Sequence, residues 1–258
     1  MTVKYAYGTH AGLRREINED RVGIFKVADV FTVALLLDGM GGVNGGRIAS
    51  STAYDVMATE LELRLSFLLC DTEPIRLKSI GAVLLSACKA VNSAVREKAR
   101  TDRSLHGMGT TMLAAVCYGA HCCILNVGDS RGYYLADGQV AQITKDQSYL
   151  QYLLDRDEID PKQVENFAEK NVIMSAIGTE ETVSADLYYL TFQEDKEEYL
   201  LLSSDGLHDM VSEEEIGKIV FQKEYTLGEK IEKLIDGANA SGGEDNISAA
   251  LLCVRKVG

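Results

Sequence analysis

The sequence predicts an α+β fold. Three observations carry that prediction. Strand-like and helix-like stretches come in blocks, in the order strands, two long helices, strands, two helices, strand, and this disfavours a repeated βαβ alternation. The late strands are short and joined by turn signals, among them Asp137-Gly138. No internal repeat is visible.

Residues 3–9 and 22–27 read as short strands, and the strongly apolar 30–37 as a third. Asn44 is placed to cap a helix reaching about residue 65, with Ile48, Ala49, Thr52, Ala53, Val56 and Leu61 at helical spacing. A second amphipathic helix spans about 75–100, on Ile80, Val83, Leu84, Ala87, Val91 and Val95. Strands follow at 110–118, 121–127 and 131–136, and Asp137-Gly138 turns the chain into 140–144. Residues 146–170 read as short helices in a polar, charged insertion. Then come strands at 185–191 and 199–203, helices at 212–221 and 226–239, and a last strand at 247–254.

With 258 residues, only two prolines (Pro74 and Pro161) and no Ser/Gly-rich stretch, the chain predicts one domain covering residues 1–258. A formal charge of −13 argues against nucleic-acid and anionic-lipid partners, which need Lys and Arg to neutralise phosphates. The acidic runs Glu194-Asp195 with Glu197-Glu198, and Glu213-Glu214-Glu215, are expected to be solvated surface. Cys70, Cys88, Cys117, Cys122, Cys123 and Cys253 form no C-x-x-C pair and are expected as reduced core residues. No apolar run reaches membrane length and no secretory leader is visible, so a cytoplasmic monomer is expected.

The chemistry lies where acids abut apolar strands. Asn18-Glu19-Asp20 precedes residue 22; Asp38-Gly39-Met40-Gly41-Gly42 ends the run 30–37; Asp205-Gly206 follows 199–203; Asp245-Asn246 precedes the last strand. Such carboxylates, with glycine letting the backbone approach a ligand, can face one cleft. There they coexist only if cations neutralise them or their pKa values rise. Oxygen donors without His or Cys suit hard cations such as Mg²⁺ or Mn²⁺. A lone Asp-Gly is ordinarily a turn, and Asp137-Gly138 with its polar flanks is read as one.

Six ordered motifs resemble the PPM family of protein phosphatases, also called protein phosphatase type 2C. They are Thr9-His10-Ala11-Gly12 with Arg15 and Asn18-Glu19-Asp20; Asp38-Gly39-Met40-Gly41-Gly42; Gly109-Thr110-Thr111; Val127-Gly128-Asp129-Ser130-Arg131; Ser204-Asp205-Gly206-Leu207; and Glu244-Asp245-Asn246. The resemblance implies a β-sandwich of two antiparallel sheets flanked by helices, with a flap at about 146–172. It implies metal-dependent hydrolysis of phosphoserine and phosphothreonine by water activated between two Mn²⁺ or Mg²⁺ ions. Asp38 would bridge both ions and the Gly39 carbonyl would bind one; Asp205 and Asp245 would complete the first site. Glu19 and Asp20 would serve the second, and Asp129 with Asp205 a third, weaker one. Arg15 is the implied phosphate clamp, with Arg14 as its runner-up. The implied partners are phosphoproteins, such as substrates of a Ser/Thr kinase. A catalytically silent scaffold and a phosphatase for small phosphoesters stay open as alternatives.

The chain also departs from the family pattern. Met40 stands where some members carry His, so the leaving alkoxide needs another proton source; Met40 itself reads as packing or lining. His10 stands where Asp is common. The flap has Asp146-Gln147-Ser148 for Asp-His-Ser, and Phe167-Ala168 near a common His-Pro. Asp155, Asp157, Glu158 and Asp160 in the flap are expected to be solvated, and His208 to be a helix-start surface histidine.

Overall fold

Every residue of β3 (Phe31–Leu37) is buried, and its side chains divide by parity between two layers. Ala34 and Leu36 face one hydrophobic layer, whereas Val33, Leu35 and Leu37 face another. A strand buried on both faces must lie inside a layered structure. The computed structural model describes all residues except 43, 71–73, 161–166, 168, 170, 171, 194 and 256–258.

Two antiparallel five-stranded sheets make the centre. The first is ordered β1 (Thr2–His10), β12 (Ile247–Arg255), β11 (Glu198–Ser203), β8 (Arg131–Ala136), β9 (Gln139–Gln142). The second is ordered β10 (Asp186–Thr191), β7 (His121–Val127), β6 (Met112–Tyr118), β3, β2 (Arg21–Val27). Ala34, Leu36, Leu113 and Ile124 meet Leu200, Leu202 and Leu252 between the sheets. Outside the second sheet lie α1 (Gly45–Leu68) and α2 (Leu77–Thr101), packing Ala53, Met57, Leu84 and Val91 on its outer face. Outside the first lie α5 (Glu213–Val220) and α6 (Leu227–Ala240), packing Ile216, Val220, Ile231 and Leu234 on Leu201 and Leu251. The order of layers is helix, sheet, sheet, helix, as the resemblance implied. Among the described residues, no helix is long and apolar enough to cross a membrane.

Local chemistry explains most boundaries. Ser212 and Thr226 start α5 and α6 with reciprocal capping boxes to Glu215 and Glu229. Asp137 and Gly138 both have positive φ (51° and 78°), as the expected hairpin turn requires. Asn44 precedes α1 in the left-handed region (φ 66°) without a side-chain bond, so it turns the chain there rather than capping through its amide.

Other departures have identifiable causes. The strand expected at 140–144 ends at Gln142, because Ile143 and Thr144 both bond Gly132, two residues against one. The strand expected at 110–118 divides: β4 (Gly39–Met40) pairs with β5 (Gly109–Thr110) in a separate small ladder. A four-residue helix, α4 (Asp205–His208), was not expected. In the insertion only α3 (Tyr149–Asp155) is helical among the described residues, and the expected helix content at 161–166, with Pro161, Ala168 and residues 170–171, lies outside them. Glu194 lies outside them too. Glu198 is buried rather than solvated, accepting from Tyr134 Oη (2.6 Å) and Gln193 N (2.8 Å). Cys70 is exposed, while the other five cysteines are buried as expected.

Candidate metal centre

Strand register brings the acidic motifs to one end of the sandwich. In the first sheet His10 pairs with Ile247, and Ser203 with both Ala249 and Arg131. In the second, Arg21 pairs with Leu37, and Met112 with Val127. Asp20, Asp38, Asp129, Asp205 and Asp245 each sit within two residues of these strand ends. The motifs are therefore neighbours because the strands are aligned.

The acids there perturb one another. Burial lifts the Asp38 carboxyl well above the ordinary carboxylate range, and Asp20, Asp205 and Asp129 lift it further. Asp20 rises to about 7, mainly through burial, with Asp205 and Asp245 adding repulsion. Asp129 also rises to about 7, from burial first and then from Asp205 and Asp146. Asp205 is raised by burial and Asp245, although its hydrogen bond with Asp38 favours its anion. Asp38 and Asp205 are thus hydrogen-bonded neighbours within the cluster. Asp38 and Asp205 keep some accessible surface as residues, yet burial is the largest influence on both carboxyl groups.

Several oxygens in this cluster lack donors. Both carboxylate oxygens of Asp20 and Oδ1 of Asp205 are buried without a hydrogen-bond partner. Ser204 and Ser248 are near enough to favour the Asp20 anion, but their hydroxyls bond elsewhere. Ser248 Oγ meets Thr9 Oγ1 (2.8 Å), and Ser204 Oγ accepts from Ser248 N (2.9 Å). Uncompensated buried carboxylates are costly, so this arrangement calls for cations.

The main chain around the acids is tightly specified. Asp38 N donates to Thr111 Oγ1 (3.0 Å), and Asp38 O accepts from Thr111 N (2.9 Å) and Thr110 Oγ1 (2.8 Å). A Cβ on Gly39 would fall 2.5 Å from Glu19 O and closer still to Gly46 O, so only glycine lets these three segments touch. Asn246 ties the opening motif down: its Oδ1 accepts from Glu19 N (2.8 Å), and its Nδ2 donates to Ala11 O and Ile17 O (3.0 Å each).

Arg15 is exposed, and its Nη2 lies 2.7 Å from Asp245 Oδ2, with Asp205 and Glu19 also raising its pKa. Arg14 is exposed and bonds Gly243 O only through its main-chain N–H (3.1 Å). His10 Nδ1 accepts from Gly12 N (2.9 Å) and so braces the turn of the opening motif. Met40 sits in the small ladder opposite Gly109, which supports a lining role. His208 is half-buried rather than exposed: desolvation of the ring, helped by Arg131, holds its imidazole well below its usual pKa, and Nδ1 lies 3.0 Å from Ser203 Oγ. His208 ends α4, and the contact with Ser203 holds its ring against the last residue of β11.

The protein phosphatase 2C family profile matches residues 7–251. The serine/threonine phosphatase stp of Listeria innocua is 35% identical over 95% of this chain and 94% of its own length. Protein phosphatase PhpP of Streptococcus pneumoniae is 30% identical over 96% of each. The chain belongs to the protein phosphatase 2C family. It is a serine/threonine protein phosphatase. The solved S. agalactiae serine/threonine phosphatase superposes with a TM-score of 0.88 at 29% identity, covering 97% of this chain and 99% of its own. The catalytic domain of PstP, solved in complex with two manganese ions, gives 0.79 at 32% identity, with 98% of each chain covered.

As a protein phosphatase 2C chain, it shows supports that motif reading left without a role. Thr111, Asn246 and Ser50, whose Oγ donates to Glu19 O (2.5 Å), hold the acids by their backbones. Arg131 grips Asp146 through Nε and Nη2 (2.7–3.0 Å), tying the strand after Asp129 to the root of the insertion that begins at residue 146. Gln147 fastens the same root: its Oε1 accepts from Gly128 N (2.9 Å) and its Nε2 donates to Asp186 (2.8 Å). Thr111 and Asn246 lie inside matched motifs, which was the available signal. Ser50 carried none.

The donor set fits hard divalent cations, being all carboxylate and carbonyl oxygen with orphaned oxygens at its centre. Among the described residues, no three His, Cys, Asp or Glu side chains already frame one point in ligand geometry. Asp245 is spent on Arg15 and Asp38 on Asp205, so the acids share a neighbourhood without forming a finished cage.

Proposed function

We propose that this phosphatase hydrolyses phosphoserine and phosphothreonine esters of proteins with two Mn²⁺ or Mg²⁺ ions held by the acidic end of its sandwich. Asp38, the Gly39 carbonyl, Asp205 and Asp245 would hold one ion, and Asp38 would also serve the second. Glu19 and Asp20 serve the other, and Asp129 with Asp205 forms a weaker third position. Bound divalent cations make water nucleophilic at neutral pH and offset charge on the phosphoryl oxygens.

The chain's own residues do the rest. Thr110, Thr111 and Asn246 hold the acidic backbones in place by the bonds described above. Arg15 orients the phosphoryl group by its planar fork, for which it must exchange Asp245 for the ester's oxygens. Met40 carries no proton, and the His208 imidazole is half-buried and held neutral, so the leaving alkoxide takes its proton from solvent. The substrates are proteins phosphorylated by a serine/threonine kinase, met in the cytoplasm.

The observation that carries this reading is the mutual perturbation of Asp20, Asp38, Asp129 and Asp205 with their donor-less oxygens. Phosphate release from a phosphothreonine peptide, measured with Mn²⁺, with chelator and with Asp38→Asn, tests it. Turnover should vanish in both of the last conditions. Persistence in chelator would end the two-ion reading.

A further inference from the structure

At the far end of the first sheet, the sign of the surface reverses. A cleft of about 860 Å³ opens between the starts of β1, β11 and α6 and the end of β12. Lys4, Lys223, Lys230 and Arg255 line it against a single carboxylate, Glu197, in a protein whose formal charge is −13. Its volume lies within the range of small-molecule sites. β11 and β12 run from this cleft to Asp205 and Asp245, so roughly 20 Å of strand separates it from the metal centre.

Its floor is built rather than incidental. Lys230 is only 3% exposed, and lysine is rarely buried so deeply without an ion pair. Among the described residues no carboxylate pairs with it; its ammonium donates to Tyr199 Oη (3.2 Å) and lies 4.8 Å from that ring's centroid. Two of its three N–H donors therefore have no protein acceptor among the described residues. Glu197, which accepts from Tyr199 Oη and lies 3.6 Å from Arg255, is the one carboxylate of the lining and offsets part of this charge, Lys230's included. Lys4 and Lys223 are exposed on the rim and form no ion pair among the described residues. Beside these cations stands the ring of Tyr225, with Lys233 4.5 Å from its centroid.

We propose that this cleft binds a nucleotide, with the di- or triphosphate on Lys230, Lys4, Lys223 and Arg255 and the base against Tyr225. Several cations converging on a small volume suit a compact polyanion. A flanking aromatic face suits a base, which stacks without sequence-like specificity. A cleft of this size holds a ligand of that class, whereas an extended acidic peptide would run off its ends.

The test is calorimetric titration of the full chain with ADP and ATP in EDTA, where neither hydrolysis nor metal chelation contributes. Saturable one-to-one binding is expected, falling steeply with salt. The double variant Lys4→Ala/Lys223→Ala should weaken it by about tenfold or more, while turnover of a phosphothreonine peptide with Mn²⁺ stays at the wild-type rate. Both side chains are exposed, so the variant folds; Lys230→Met, which tests the floor, should abolish binding if it folds. Inorganic tripolyphosphate should bind about tenfold more weakly than ATP. No saturation at millimolar nucleotide, or binding untouched by the double variant, would overturn the proposal. So would tripolyphosphate binding as tightly as ATP, which removes the base, or a phosphopeptide displacing the nucleotide at equal concentration.

Discussion

Asp38 and Thr111 are joined by a reciprocal pair of hydrogen bonds: Asp38 N donates to Thr111 Oγ1 (3.0 Å), and Thr111 N donates to Asp38 O (2.9 Å). The same hydroxyl meets Ser130 Oγ at 2.8 Å, next to Asp129. One side chain thus connects the Asp38 backbone to the Ser130 hydroxyl. Thr111→Val keeps the shape and removes the hydroxyl, leaving Asp38 N–H unsatisfied. It should cost about 1–3 kcal/mol of stability and weaken Mn²⁺ binding by about 10–100-fold. Thr111→Ser should restore both. Denaturant unfolding and Mn²⁺ titration read the two effects separately, and a valine variant with native Mn²⁺ affinity would refute the positioning role.

The acidic cluster is held together at a cost to the metal-free fold. Asp38 is either kept neutral against its preference in solution or ionised among Asp20, Asp205 and Asp129. An amide at this position carries neither penalty. In EDTA, Asp38→Asn should therefore be more stable than wild type by about 1–2 kcal/mol, a rise of roughly 2–8 °C in Tm. With saturating Mn²⁺ the order should invert, because the wild type alone gains the full binding energy. Thermal unfolding with and without Mn²⁺ checks this, and a variant less stable in EDTA would contradict it.

The same cluster predicts a pH dependence. Asp20 and Asp129 titrate near pH 7 in the fold against 3.8 for a free side chain. Between those values the folded state keeps protons that the unfolded chain has released. Their stabilising contribution is complete below about pH 4 and is lost as pH rises through about 7. Glu215 and Glu229, held low by their capping bonds, titrate beneath this window. His208 opposes the trend only below its free value of 6.5, one group against two. In EDTA the Tm should fall from pH 5 to 7.5, whereas Mn²⁺ affinity should climb across the same range as the ligands lose protons. A Tm that rises with pH in EDTA would contradict the assignment.

Much of this site was legible in the chain itself, for a local reason. An acid beside an apolar strand is a short-range pattern, and Asp38, Asp205, Asp245 and Asp20 all carry it. The Asp137-Gly138 turn is equally local. What escaped depends on distant partners. Thr111 meets Asp38 across 73 positions and Asn246 meets Glu19 across 227, and periodicity says nothing of either. The pairing of two sheets came through family resemblance and not from spacing. Glu198 looks like surface in an acidic run, yet Tyr134, 64 positions away, gives its carboxylate a buried partner. His208 was misplaced because a four-residue helix has too few turns to show which side faces inward.

His208 lies three residues from Asp205, which makes it an obvious candidate for the leaving-group acid, and its surroundings argue otherwise. Burial and the nearby Arg131 keep the imidazole neutral through the physiological range, and Nδ1 is occupied by Ser203 Oγ (3.0 Å). A group that does not titrate near neutrality contributes no limb to a rate profile there. His208→Ala should therefore leave both limbs of the pH–rate profile in place while lowering stability by about 2–4 kcal/mol, from the cavity and the unpaired Ser203. His208→Asn, whose amide can reach Ser203 from the Nδ1 position, should recover part of that loss. If instead a limb disappears in the alanine variant and stays absent in the asparagine one, the ring exchanges protons with the reacting ester, and solvent is not the donor.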